Sequence, residues 1–235
     1  MSFGVVSASY VAMMPATPAD FTGLALWLKA DTITGLADGA NVTVWQDTTN
    51  GWTAEPPGAP QPTYATTVTP TGSPAVRFST SRSPLHVPGT ATPTDTLTYV
   101  IVAKAETLAT EAVLLSAYTS GCFGAAMRNT SMAAVEPGIT WFDDALAGTV
   151  DTNWHVYVWT YDNTVDTITY TVDGVATSVT TTNGPMASNI YFIGSAAAGF
   201  GGFGGLMAEI AAYGRVLSPA EITSLTAGLK IKYGL

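Results

Sequence analysis

Apolar residues in this chain fall in short runs, many alternating with polar ones, and the runs are separated by Gly, Pro, Asn and Asp. Two-residue alternation bounded by turn formers, in runs rich in Val, Ile, Thr, Tyr and Trp, predicts strands. They fall at residues 4–12, 24–29, 42–46, 75–79, 97–105, 112–117, 123–128, 139–142, 154–161, 167–172, 175–180, 189–193 and 206–213. Asp173-Gly174 separates two of these runs by two residues that tolerate positive φ, which predicts a tight hairpin. One segment carries helix signals instead. Ser218 is placed as N-cap, Pro219 as first helical residue and Glu221 three after the cap, a capping box that predicts a helix over 219–233. The chain therefore reads as all-β with one C-terminal helix.

Two stretches break the pattern. Residues 48–74 hold six prolines, at positions 56, 57, 60, 62, 70 and 74, and are expected to run over the surface as an irregular connection. The cluster Gly199-Phe-Gly-Gly-Phe-Gly-Gly205 predicts a second loop, and the Lys-Ser/Thr pair that a phosphate-cradling loop needs does not follow it. The first twenty residues end in Pro15-Ala-Thr-Pro18 and read as an arm, 1–20, appended to a single domain, 21–235.

Composition narrows the functions. Eight Lys and Arg stand against 17 Asp and Glu, a net charge of -9, so the chain is not built to neutralise nucleic-acid phosphates or an acidic membrane surface. No apolar run approaches the roughly 20 residues of a spanning helix, although mean hydropathy is +0.26. Charged residues make up only 11%, which lowers repulsion between copies and points to packing against neighbours as a homo-oligomer. Cys122 is the single cysteine, so an internal disulfide is excluded. No Lys or Arg precedes the first apolar stretch, so the charged opening of a secretory signal is absent and assembly in the cytoplasm is expected.

Three stretches together resemble a known pattern. They are Leu24-Ala-Leu-Trp-Leu-Lys-Ala-Asp31 with Val44-Trp-Gln-Asp47; Trp154-His-Val-Tyr-Val-Trp-Thr-Tyr-Asp162 with Tyr170-Thr-Val-Asp-Gly174; and Ile193-Gly-Ser195 leading through Gly205-Leu-Met-Ala-Glu-Ile210 to Arg215-Val-Leu-Ser-Pro-Ala-Glu221. Their order is similar to the laminin-G-like branch of the concanavalin A-like lectin/glucanase superfamily. The resemblance implies an antiparallel two-sheet jelly-roll sandwich over residues 21–235. Such domains serve lectins, glycosidases, adhesion proteins and virion proteins of tailed bacteriophages, so the fold alone leaves the function open.

Glucanases of this superfamily carry Glu-x-Asp-x-x-Glu or Glu-x-Asp-x-Glu on one strand, and neither spacing occurs here. His86 and His155 are the only histidines, and no Gly-x-Ser-x-Gly elbow is present. An enzyme is therefore not expected. His155, Tyr157, Trp159 and Tyr161 alternate on one face of a predicted strand, either as an aromatic platform for sugar or as packing between covered faces. Trp52, Tyr64 and Trp141 are further exposed-aromatic candidates for glycan or partner contact, or else loop anchors. Laminin-G-like domains often hold calcium at a rim. Asp143, Asp144, Asp162 and Asp166 are candidate ligands, with turn formation as the other role for each. Arg77, Glu209 and Arg215 lie in apolar strand context and read as structural, Glu209 pairing internally with an arginine left undetermined.

The expectation is a non-enzymatic virion protein of a tailed phage, decorating the capsid or sitting in the tail. It docks to other virion proteins through its N-terminal arm, needs no cofactor beyond an optional calcium, and has a host-surface glycan as a further partner. The alternative is a stand-alone carbohydrate-binding module.

Overall fold

The computed structural model describes residues 14–81, 83–87, 96–116, 122–136, 140–141, 148–180, 187–188, 192–195 and 201–235. Among these the strands are β1 (Leu24–Lys29), β2 (Trp45–Gln46), β3 (Thr53–Ala54), β4 (Thr63–Ala65), β5 (Ala75–Phe78), β6 (Leu85–His86), β7 (Thr96–Ala105), β8 (Ala112–Ser116) and β9 (Cys122–Arg128). They continue with β10 (Ser131–Glu136), β11 (Thr140–Trp141), β12 (Trp154–Asp162), β13 (Thr167–Val172), β14 (Val175–Thr180), β15 (Ala187–Ser188), β16 (Phe192–Ile193) and β17 (Gly205–Tyr213). One α-helix, α1 (Pro219–Tyr233), closes the chain.

The larger sheet runs β14-β13-β12-β7-β17-β5-β4, with β1 beside the second half of β17. The smaller runs β11-β10-β9-β8-β16-β6. Pairings within both are antiparallel, and β15 adds to β9 in parallel. The main core lies between the sheets, where Tyr99, Ile101, Tyr157, Trp159 and Ile210 meet Leu114, Phe123, Met127 and Met132. Phe123 stacks on Tyr161 at 5.4 Å across that interface.

The other face of the larger sheet is covered by α1. Val100, Val102, Val156, Val158 and Ala211 pack there against Ile222, Leu225, Leu229 and Tyr233. Cover on both faces explains why β7, β12 and β17 read as nearly continuous apolar runs. The register of β17 against β7 shifts between Met207 and Glu209. This bulge turns Ala208 and Glu209 toward the helix side together, where strict alternation would send one of them into the main core.

The capping box forms as the sequence predicts: Ser218 N–H donates to Glu221 Oε2 at 2.7 Å, and Ser218 Oγ accepts from Glu221 N at 3.3 Å. Gly234, at φ 74°, ends the helix in the left-handed conformation that glycine favours. Thr98 fixes the approach to the helix, donating to Arg215 O at 2.8 Å and accepting from Leu217 N at 2.9 Å.

Three differences from the sequence expectation have physical causes. Residues 48–74 do not simply run over the surface: Ala54, Tyr64 and Ala65 are buried, and β4 joins the edge of the larger sheet. The prolines flank β4 at 60, 62, 70 and 74, so the ladder keeps its donors. Strand β10 was not expected because Ser-Met-Ala-Ala-Val-Glu carries one β-branched residue. Within the segment that the sequence assigns to the arm, Ala16 and Pro18 are seated on the domain. Tyr213 Oη donates to Pro18 O at 2.9 Å, and a Cβ at Gly228 would collide with the Ala16 carbonyl. The predicted strand at 4–12 lies outside the described residues.

Candidate functional site

The aromatic stripe of β12 is packing. Tyr157 and Trp159 are 0% exposed, and Trp159 Nε1 donates to Ala133 O of the facing sheet at 3.0 Å. Stacking a sugar needs an open ring face, so neither residue offers a glycan platform. Tyr64 is also buried, its ring in the main core, which removes the exposed role assigned to it. Trp52 is 36% exposed, and its carbonyl accepts from Asp47 N at 2.8 Å and Gln46 Nε2 at 3.1 Å. Trp141 lies in β11 opposite Val135.

His155 ends the same face and does something different. Its Nδ1 lies 2.7 Å from Asp173 Oδ2 and its Nε2 2.9 Å from Asp151 Oδ1. Asp173 Oδ1 also accepts from Val156 N at 3.0 Å. Burial disfavours the imidazolium, but hydrogen bonds and charge from both aspartates outweigh it and the histidine titrates above its ordinary value. The Asp151 carboxyl is held below its usual range, chiefly by the His155 hydrogen bond. Asp173 and Gly174 have φ of 51° and 93°, the tight hairpin predicted from Asp-Gly, so His155 ties that turn to the segment before β12.

Glu209 is 2% exposed and fully engaged. Oε1 accepts from Trp27 Nε1 at 2.5 Å, and Oε2 from Lys232 Nζ at 2.8 Å and Tyr233 Oη at 2.7 Å. Lys232 also meets Asp31 at 2.9 Å. Burial opposes the lysine's charge, yet Glu209 and Asp31 together raise its pKa above the ordinary value. Glu209 is structural but meets no arginine among its partners, contrary to the sequence expectation: Arg77 pairs with Glu106 at 3.1 Å and Arg215 with Glu221 at 2.6 Å. The bulge in β17 aims Glu209 at the helix, where Lys232 is the cation in reach. Lys232, Tyr233 and Trp27 escaped the sequence reading because they come from opposite ends of the chain. Gly228 left a signal, since glycine inside a helix costs stability and marks a close approach.

Of the calcium candidates, Asp143 and Asp144 lie outside the described residues. Asp162 Oδ1 accepts from Thr164 N at 2.9 Å and Thr164 Oγ1 at 2.6 Å, and Asp166 has φ 48°, so both shape the turn between β12 and β13. Among the described residues no three His, Cys, Asp or Glu side chains are grouped to hold a metal ion. A hydroxyl-rich hollow of about 300 Å³ is lined by Thr63, Arg77, Ser79, Thr80, Glu106 and Thr107. A more apolar one of about 350 Å³ lies between Met14, Pro15, Trp27, Lys29 and Ile231.

Comparison with known proteins supports the architecture. No curated protein matches the chain. The receptor-binding domain of botulinum neurotoxin type G superposes with TM-score 0.60 at 13% identity, over 90% of this chain and 52% of that one. Trypanosoma rangeli sialidase in complex with the inhibitor DANA superposes with TM-score 0.57 at 15% identity, over 91% of this chain and 35% of that one. A mutant of that sialidase displaying trans-sialidase activity gives 0.55 at 18% identity, over 89% and 33%. This chain thus spans between a third and about half of the length of these structures. At such identities the likeness is one of fold. A family model described as concanavalin A-like lectin/glucanases superfamily, of laminin-G type, matches residues 87–223, and the chain belongs to that superfamily.

Proposed function

We propose that this chain is a non-enzymatic structural subunit of a tailed-phage virion, a capsid decoration or minor tail protein that acts through protein–protein contacts. The observation that carries the reading is the seat of the N-terminal segment. Residues 15–18 rest on α1 at Gly228 and beneath Tyr213, while Met14 is 91% exposed. Upstream of that anchor the sequence Met-Ser-Phe-Gly-Val-Val-Ser-Ala-Ser-Tyr-Val-Ala-Met holds no charged residue, a composition suited to burial against a partner subunit. The low overall charge supports the same reading, as does the burial of the aromatic stripe a lectin would display. Assembly takes place in the host cytoplasm, and no cofactor is required.

The test is a chain lacking residues 1–13. It retains the anchor, so its thermal unfolding stays that of the full chain. Its incorporation into gradient-purified particles, read by immunoblot, is lost. Normal incorporation overturns the proposal.

A second reading, a carbohydrate-binding module, is favoured by the hydroxyl-lined hollow beside Arg77 and Glu106. A glycan array run with calcium and again with chelator checks it. Saturable binding abolished by Arg77→Ala supports this reading, and absence of binding under both conditions removes it.

A further inference from the structure

The two ends of the larger sheet are finished differently. At one end β4 is three residues long, follows Pro62, and is bridged by Asn41. At the other, β14 is six residues long and paired only with β13 among the described strands. Its sequence, Val-Ala-Thr-Ser-Val-Thr, holds no charge, proline or glycine, and five of the six residues are exposed, Val175 to 75%. Its register with β13 is unbroken from Val172↔Val175 to Thr167↔Thr180, so no bulge twists it away. Charges, prolines, bulges and shortness are the devices by which edge strands avoid pairing, and β14 uses none of them.

The direction of its free backbone groups follows from the ladder. Asp173 N–H donates to Val156 O of β12, and Val172 faces Val175 across the tight turn. Val172, Tyr170 and Ile168 therefore bond to Val175, Thr177 and Val179, and the N–H and C=O groups of Ala176, Ser178 and Thr180 point outward.

We infer that this edge is a homodimer interface, in which β14 of a second copy adds antiparallel about a two-fold axis at Ser178. Ser178 then faces its counterpart and Ala176 faces Thr180 of the other copy, giving about six hydrogen bonds that close the outward groups of both strands. A second copy is the occupant because the pattern is self-complementary: an axis at an outward-pointing residue sets every outward group opposite another. The net charge of -9 on each copy opposes self-association, but β14 brings none of that charge into the contact. The turn acid next to it, Asp173, is occupied by His155. The inference deepens the assembly reading but makes no use of residues 1–13, so either can fail alone.

Sedimentation equilibrium of the full-length chain over a concentration series tests it. The wild type is expected to approach twice the monomer mass. Ala176→Pro removes an outward N–H and leaves the β13 ladder intact, as proline is tolerated on that side of an edge. Ser178→Asp places two carboxylates face to face across the axis. Each is expected to raise the dimer dissociation constant at least ten-fold while the thermal unfolding of the monomer changes little, the aspartate giving up only the exposed Ser178–Thr169 hydroxyl contact at 2.8 Å; if the proline variant misfolds, the aspartate variant decides. A wild type that stays monomeric throughout, or a dimer that survives Ser178→Asp, overturns the inference.

Discussion

Glu209 and His155 are each a single ionisable group held by several partners, one beneath a helix and the other at the rim of the sandwich. Glu209 is 2% exposed and saturated by Trp27, Lys232 and Tyr233, residues from β1 and the last turn of α1. His155 is bound by Asp151 and Asp173, close neighbours in the chain, and its partners remain partly in water, with side chains 49% and 26% exposed. The first cluster joins distant parts of the fold. The second tidies a local turn. Removing one member of a buried set leaves the others desolvated and unpaired, whereas water replaces a lost partner at the rim.

The largest expected effect comes from the buried cluster. Glu209→Ala leaves the Tyr233 phenol and the Trp27 indole N–H without their acceptor and Lys232 with Asp31 alone, and is expected to cost about 3–5 kcal/mol. Thermal unfolding should show it as a fall of roughly 2–4 °C per kcal/mol for a chain of this size. A fall of only a degree or two would erase the contrast. Gly228→Ala comes next, because its Cβ meets the Ala16 carbonyl and must displace either residues 14–18 or the helix. A loss of about 1–3 kcal/mol is expected from such crowding, together with faster proteolytic cleavage near residue 14.

The rim gives the smaller effects. Asp173→Asn weakens the hold on His155 and is expected to lower stability by about 1 kcal/mol or less, an effect that shrinks as salt is added. His155→Gln makes the sign of the pH dependence visible. Since the aspartates raise the histidine's pKa in the folded chain, its contribution is complete below the ordinary value of 6.5 and disappears as pH rises through the folded value. The stability gap between wild type and His155→Gln should therefore be widest in mild acid and close as pH rises through the histidine's folded value. A gap that widens with rising pH would contradict the two-aspartate clasp. Across the same range Lys232 stays charged, its pKa being raised from an already high value.

Much of the fold was legible because local rules sufficed. The hairpin at Asp173-Gly174 and the capping box at Ser218 involve residues within a few positions of each other, and both form as read. Strands β1, β13 and β14 carry the predicted bounds because alternation and turn residues agree there. The site was less legible. Tyr157 and Trp159 show the same alternation whether a second sheet or water covers their face. Tyr64 sits in a proline-rich stretch that looked like surface, yet β4 carries it inward.

Sequence alone determined the all-β class, the C-terminal helix, the superfamily resemblance and a charge balance unsuited to nucleic acid, since each depends on composition or near neighbours. Tertiary structure decided which cation meets Glu209, which aromatics are closed to ligand, where residues 15–18 are seated and which of the described strands pair on one side only. These are contacts between residues as far apart as Trp27 and Glu209 or Ala16 and Gly228. No local pattern encodes such contacts, because the bulge, the sheet order and the helix docking that create them exist only once the whole chain has folded.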